Sequence, residues 1–321
     1  MIKKNYSILI ITPIKHIKNL KFNYFKKIKI LENPSYKEVH KIINNFDVLF
    51  TNPNMSKVFI DKNLINKGKK LKCISTASTG TNHIDKKFLN KSKIKLISLT
   101  KDYKIIKKIS STAEHALALT LAQLRNIIPS SNSVKDGKWE YKKFIGRQLT
   151  DLKIGVIGYG RLGSKYASYF FPLKSKILVY DPKKKIKNNK IKQVHNLTKI
   201  FKECDIVSLH VHVENSTVNM INNNLLNKAK KNLILVNTSR GEIVNEIDLI
   251  KFLKSNNEAK YATDVLNDEI KNKKKNVIIK FFKKSDQILV TPHIGGMTRE
   301  AQEIAYGRVL EKTISYLKNL N

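Results

Sequence analysis

Lys153-Ile154-Gly155-Val156-Ile157-Gly158-Tyr159-Gly160-Arg161-Leu162-Gly163 is the stretch of this 321-residue chain from which the rest can be read. An apolar run runs directly into G-x-G-x-x-G, and a helix-forming segment follows. Alone, such a glycine pattern is weak, because glycine-rich turns are common. Placed between a strand and a helix it acquires a mechanism. Gly158 permits the tight turn, Gly160 lets the backbone approach a pyrophosphate, and Gly163 lets the helix pack close to the strand. The helix then aims its free N–H groups at the phosphates. Eighteen residues past Gly163 the next strand, Lys176–Tyr180, ends at Asp181. A carboxylate there accepts hydrogen bonds from ribose hydroxyls and repels a 2′-phosphate, which favours NAD over NADP. Lys183–Lys185 follow at once and soften that preference.

Working outward, the same alternation of apolar runs and helix-like stretches fills the chain. Before the motif come Ser7–Thr12, Lys29–Leu31, Val48–Thr51, Leu71–Ala77 and Ile94–Leu99, with amphipathic stretches such as Tyr36–Asn45 between them. From the motif onward come Lys153–Ile157, Lys176–Tyr180, Asp205–His210, Leu233–Thr238, Lys260–Val265 and Gln287–Thr291. Strands alternating with helices make a parallel sheet covered on both faces. Between the series, Ser111 and Glu114 have the spacing of a capping box, and the Ala- and Leu-rich Thr112–Leu124 reads as a long buried helix. The closing stretch, Thr298–Leu317, reads as a helix that returns to the first domain. The expected architecture is α/β with two Rossmann-like domains with parallel sheets. Residues 1–100 and 292–321 form a discontinuous substrate-binding domain, and 101–291 an NAD-binding domain. Two chain crossings imply a cleft between them.

Composition narrows the classes. No segment approaches the roughly 18 uninterrupted apolar residues of a membrane span. The start, MIKKNYSILIITPIK, has a basic end and a short apolar run, but no small-residue cleavage site follows, so it reads as a first buried strand. Cys73 and Cys204 are far apart, which argues against a disulfide framework or a cysteine metal site and for a cytoplasmic, reducing setting. The formal charge of +37 raises the question of nucleic acid. The excess is nearly all lysine, the arginines being Arg125, Arg147, Arg161, Arg240, Arg299 and Arg308. The lysines are scattered and enriched together with Ile and Asn, as an AT-rich coding sequence would produce. A solvated basic surface that draws in anionic substrates is expected, with no specific nucleic-acid or membrane partner.

Hydride transfer with a nicotinamide needs a base for the proton that accompanies the hydride and an acid to orient that base, and an anionic substrate needs a cation. Candidates lie just beyond strand ends, where ligands bind in such folds. Leu233–Ser239 runs into Arg240, Lys260–Val265 contains Asp264 and runs into Asp268-Glu269, and Gln287–Thr291 runs into Pro292-His293. Singly, an arginine is usually a surface charge, Glu269 lies in a polar stretch, and a histidine often satisfies a core contact. Together, behind one dinucleotide motif, they point to a site.

With these residues the chain resembles the D-isomer-specific 2-hydroxyacid dehydrogenase family, and especially its 3-phosphoglycerate dehydrogenase-like members. The matching passages are Ala77-Ser78-Thr79-Gly80-Thr81-Asn82-His83-Ile84-Asp85, Ser111-Thr112-Ala113-Glu114, Asp136-Gly137-Lys138-Trp139, the glycine motif, Val236-Asn237-Thr238-Ser239-Arg240-Gly241-Glu242-Ile243-Val244, and Pro292-His293-Ile294-Gly295-Gly296. The resemblance implies that Arg240 binds substrate carboxylate and carbonyl, Glu269 pairs with the histidine, and His293 is the acid/base. It implies that backbone amides around Ser78, Thr79 and Gly80 hold the carboxylate, with Thr79 near the cofactor. Arg161 and Leu162 would cover the pyrophosphate and Asp181 take the ribose. Asp264 and Gly295 would lie at the nicotinamide end, and Thr238 and the chain after His210 would line the groove. The resemblance also implies NAD as cofactor and homodimers formed through the helical region near 112–146.

Departures from the family pattern are visible. Glu269 is followed by Ile270 where the family often has proline, and Asp268 is adjacent, so Glu269 rests on its distance from Asp264. His210-Val211-His212 stands where histidine-x-proline is common. Metal binding by His210, His212 and Glu214 lacks further ligands, so no metal is expected. The basic stretch Lys271–Lys284 reads as a solvated loop, with a flap beside the site as the alternative. The expected enzyme is an NAD-dependent D-2-hydroxyacid dehydrogenase, with 3-phosphoglycerate/3-phosphohydroxypyruvate as one candidate pair and glyoxylate or hydroxypyruvate as the other. No separate regulatory domain is expected. The rival classes are an NAD-sensing corepressor-like protein on the same fold and a nucleic-acid binder.

Overall fold

A computed structural model of the chain describes residues 5–53, 56, 58–267, 269 and 275–320. It divides into two units, residues 1–109 with 296–321, and residues 110–295. The first holds β1 (Tyr6–Ile10), β2 (Phe25–Ile30), β3 (Val48–Thr51), β4 (Cys73–Thr76) and β5 (Lys95–Ile97), in the order β2-β1-β3-β4-β5. The second holds β6 (Lys153–Ile157), β7 (Lys176–Tyr180), β8 (Ile191–Val194), β9 (Ile206–Leu209), β10 (Ile234–Asn237), β11 (Lys260–Thr263) and β12 (Ile288–Val290), in the order β12-β11-β10-β9-β6-β7-β8. Every strand pair is parallel. The fold is α/β with two parallel sheets, each a doubly wound arrangement, and the first unit is discontinuous.

The inner strands of each sheet are buried on both faces because they are apolar at successive positions. In β1, Ile8 and Ile10 enter one core and Leu9 the other. The helix Arg299–Lys318 completes the first of these cores with Tyr306, Val309 and Leu317. In the second unit the helix Ser111–Leu124 packs on β10 and β11, its Ala113, Ala116 and Leu119 sharing one core with Val236 and Ala262, and Thr120 hydrogen-bonds the Tyr166 hydroxyl at 2.8 Å.

Three sequence expectations change here. The capping box at Ser111 does not form: the N-cap is Ser110, in helical conformation and without a side-chain cap bond, and Ser111 already lies inside the helix with its hydroxyl buried. The edge strand β8 was not expected, because Ile191-Lys192-Gln193-Val194 carries too few apolar residues to stand out in a lysine-rich segment. The stretch read as a solvated loop contains a helix, Val277–Phe282, with Ile278 fully buried. Asp268 and residues 271–274 lie outside the described residues. Among the described residues no helix is long and apolar enough to cross a membrane.

Candidate active site

In the second unit the strand order reverses between β6 and β9, the point at which doubly wound sheets bind ligands beyond their carboxyl ends. The glycine motif sits there. Gly158 has φ +90°, and a Cβ on it would meet the His210 carbonyl oxygen at 2.6 Å. A Cβ on Gly163 would fall 1.9 Å from the Gly158 carbonyl oxygen, so helix and loop touch backbone to backbone. Gly160 differs: nothing lies within 4 Å of its would-be Cβ. It is the N-cap of the helix Arg161–Tyr169 and makes no side-chain cap bond, so the amides of the first turn face outward. Leu162 packs toward the core, and partial burial of the Arg161 guanidinium lowers its pKa.

Asp181, at the end of β7, accepts the Tyr159 amide on one oxygen at 2.8 Å and the Lys183 amide on the other at 2.9 Å. It thereby fastens the glycine loop to the neighbouring strand. A carboxylate offers about four lone-pair sites, so ribose hydroxyls still find acceptors there. Two buried polar atoms just past the ends of β10 and β9 have no hydrogen-bond partner in the structure, Thr238 Oγ1 and His210 Nδ1. Buried polar groups are ordinarily paired, so these orphans, the cleared approach at Gly160 and the carboxylate of Asp181 fit a dinucleotide. The His210 imidazole bonds Ser208 through Nε2 at 2.9 Å, lies against Tyr166, and is neutral because burial pushes its pKa down to about 3. Glu214 pairs with Lys183 at 2.8 Å. His210 and Glu214 therefore face different partners.

The chemical residues leave three adjacent strands. Arg240 follows β10, Asp264 and Glu269 follow β11, and His293 follows β12. His293 Nδ1 lies 2.7 Å from Glu269 Oε1. Each of the two side chains is about one-fifth exposed, so the pair is partly screened from water. The loop that carries Arg240 is fixed by its own neighbours. The Asn237 side-chain amide donates to the Arg240 carbonyl at 2.9 Å, and the Arg240 guanidinium donates to the Ser239 carbonyl at 2.6 Å. A Cβ on Gly241 would strike the Leu266–Asn267 peptide at about 2 Å, so the arginine loop rests on the backbone that leads to Glu269.

Asp264 is buried, 2% exposed, and its carboxylate accepts the Thr291 hydroxyl at 2.6 Å and the amides of Ile294 and Gly295 at 2.8 and 2.7 Å. Burial raises its pKa; hydrogen bonds from His115, Thr291 and the two amides outweigh that and lower it. The sequence reading missed three contributors. His115 and Thr291 surround Asp264. Glu246 accepts the Asn267 amide at 2.8 Å and the Asn276 side-chain amide at 2.7 Å, bracketing the chain on either side of Glu269. None carries a local signature, since His115 reads as a core position of an Ala/Leu helix.

Ser78, Thr79 and Gly80 follow β4 in the first unit. The Ser78 amide donates to the Thr76 carbonyl, its hydroxyl to the Gly80 carbonyl, and Thr100 caps the Thr79 carbonyl at 3.0 Å.

Residues 117–295 match the family model described as D-isomer specific 2-hydroxyacid dehydrogenase, NAD binding domain. The chain is 34% identical over 285 residues to a hydroxypyruvate reductase of Thermotoga maritima, covering 87% of this chain and 88% of that one. It is 33% identical to a D-3-phosphoglycerate dehydrogenase of Archaeoglobus fulgidus over 83% of this chain and 49% of that one, so it spans about half of that relative's length. The solved pyruvate reductase of Chlamydomonas reinhardtii shares the fold, with a TM-score of 0.83, 22% identity, and coverage of 99% of this chain and 98% of that one.

Proposed function

The chain belongs to the D-isomer specific 2-hydroxyacid dehydrogenase family, and on that footing we propose that it moves a hydride between NAD and a small D-2-hydroxy acid, reversibly reducing the 2-oxo acid. The observation that carries this reading is the 2.7 Å contact of His293 with Glu269, one strand away from the loop that carries Arg240. Arg240 binds the substrate carboxylate, where a guanidinium offers two parallel hydrogen bonds as well as charge. Glu269 holds Nδ1 of His293, so the proton exchanged with substrate is carried at Nε2. In oxidation Nε2 accepts the hydroxyl proton; in reduction it returns a proton to the forming alkoxide. The Glu269 carboxylate favours the imidazolium while it exists. Bound NAD supplies the hydride acceptor or, reduced, the donor.

The substrate class we favour is a three-carbon 2-oxo acid with a hydroxyl or phosphate on C3, in keeping with the names of the two relatives and with a surface of +37 formal charge. The segment around the helix Ile127–Lys135 supports a homodimer: Trp139, Tyr141 and Ile145, three large apolar side chains close in sequence, are 85%, 75% and 79% exposed. A reducing, cytoplasmic setting is in keeping with Cys73 and Cys204 both free and buried.

The test is NADH consumption across a panel of 2-oxo acids with and without phosphate. Arg240→Ala and His293→Ala are expected to lower turnover about a thousandfold, the scale of lost acid–base or transition-state charge stabilisation, with NADH binding nearly unchanged. A wild-type chain that oxidises NADH with none of the acids, or either variant at wild-type turnover, would refute the assignment.

A further inference from the structure

His293 sits at φ +59°, in the left-handed region. A residue with a Cβ occupies that region at a cost and stays there only where its surroundings impose it. The surroundings are specific. The His293 amide donates to the Thr291 carbonyl at 3.0 Å, and the next two amides, Ile294 and Gly295, both donate to the Asp264 carboxylate. One buried carboxylate thus determines the path of the chain through His293, and it does so only while its own orientation is determined.

That orientation comes from a side chain far away in sequence. The Thr291 hydroxyl donates its single proton to Asp264 Oδ1 at 2.6 Å. Its oxygen also lies 2.9 Å from His115 Nε2, and with the hydroxyl proton already committed, the oxygen can only accept there. His115 must therefore carry a proton on Nε2, which also lies 3.4 Å from Asp264 Oδ1. The helix Ser111–Leu124 that bears His115 supports the turn directly as well. A Cβ on Gly295 would approach Thr112 Cγ2 to 3.3 Å and Asp264 Oδ2 to 3.0 Å, so at this point helix, carboxylate and turn are closely packed.

We propose that His115 is a positioning residue for His293, acting through Thr291 and Asp264 to hold the left-handed turn that presents the imidazole to Glu269. Without the Nε2 donor the Thr291 hydroxyl loses its fixed rotamer, the carboxylate loses one anchor, and the turn relaxes toward an ordinary backbone conformation. Effects on turnover rest on the dehydrogenase reading; effects on the His293 ring do not.

The experiment compares His115→Phe with His115→Gln in the full chain. Phenylalanine keeps the volume without a donor, and glutamine restores an N–H near the position of Nε2. The phenylalanine variant is expected to lower kcat about tenfold, the worth of one hydrogen bond in a charged network, and to leave the KM for NADH nearly unchanged. Glutamine is expected to recover most of that loss. Thr291→Val cuts the same chain one link later and should show the same loss, with the double variant His115→Phe/Thr291→Val no worse than either single one. Wild-type kcat in the phenylalanine variant, a glutamine variant no better than phenylalanine, or simple addition of the two losses would overturn the proposal. A second readout is the nitrogen NMR spectrum of the His293 ring. Its Nδ1 resonance should move in His115→Phe and stay in His115→Gln, and an unmoved resonance in His115→Phe overturns the proposal too. Should the wild-type chain reduce no acid in the panel, the reaction assignment falls and this spectrum still decides the role of His115.

Discussion

Asp264 shows how a buried carboxylate is made useful. Burial alone would keep it protonated, yet the donors around it bring its pKa below the ordinary 3.8. A folded-state pKa below the unfolded one means that Asp264 adds stability above pH 3.8, and that this contribution is lost as the pH falls through the lowered value. The amides of Ile294 and Gly295 are therefore expected to keep their protection from deuterium exchange, relative to the intrinsic rate, as the solution passes pH 3.8, and to lose it only at more acid pH. Loss of protection well above that value would contradict the pairing. At this scale the sequence named Arg240, Glu269, His293 and Asp264, because each follows an apolar run at a strand end. It did not point to His115 or Glu246, whose partners are remote: His115 meets a residue 176 positions away.

Among elements, the glycine loop was legible in detail, since turn, approach and close packing each demand a residue without a side chain. The three glycines nevertheless differ in consequence. Gly163→Ala would push a methyl into the Gly158 carbonyl and is expected to cost about 3 kcal/mol or more of stability. Gly160→Ala meets open space at an ordinary φ of −75° and should leave the melting temperature nearly unchanged. It should weaken NAD binding about tenfold, because the methyl stands where the pyrophosphate approaches. Equal loss of stability in both variants, or unchanged affinity in Gly160→Ala, would contradict this division. The elements that were misread share a cause. Lysine-rich segments hide short structure, so β8 and the helix Val277–Phe282 lacked contrast. At Ser111 a valid capping spacing was displaced by one residue, because Ser110 begins the helix instead.

For the whole molecule, each unit carries one buried thiol. Cys73 lies in the sheet of the first unit and Cys204 beside the sheet of the second, and burial pushes both pKa values up to about 12. Only a thiolate reacts readily, so labelling at neutral pH requires the unit around each cysteine to open. The NAD-binding match covers 117–295, the unit with Cys204. NAD at about a hundred times its Kd should slow labelling of Cys204 about a hundredfold, and that of Cys73 much less. Equal protection of both thiols would show instead that the two units open as one.

From the sequence alone came the α/β class, the two-domain plan with a chain that returns at its end, the glycine loop, and the strand ends beyond which Arg240, Asp264, Glu269 and His293 lie. These follow from periodicity and from turns that only particular residues can make, both of which are local. The pairing of His293 with Glu269 was implied by resemblance; tertiary structure alone decided its 2.7 Å geometry, that the histidine stands in a left-handed turn, and that His115 and Thr291 join Asp264 around it. Those facts depend on hydrogen bonds between groups that become neighbours only once separate strands and a helix have packed, and no local pattern encodes such distances.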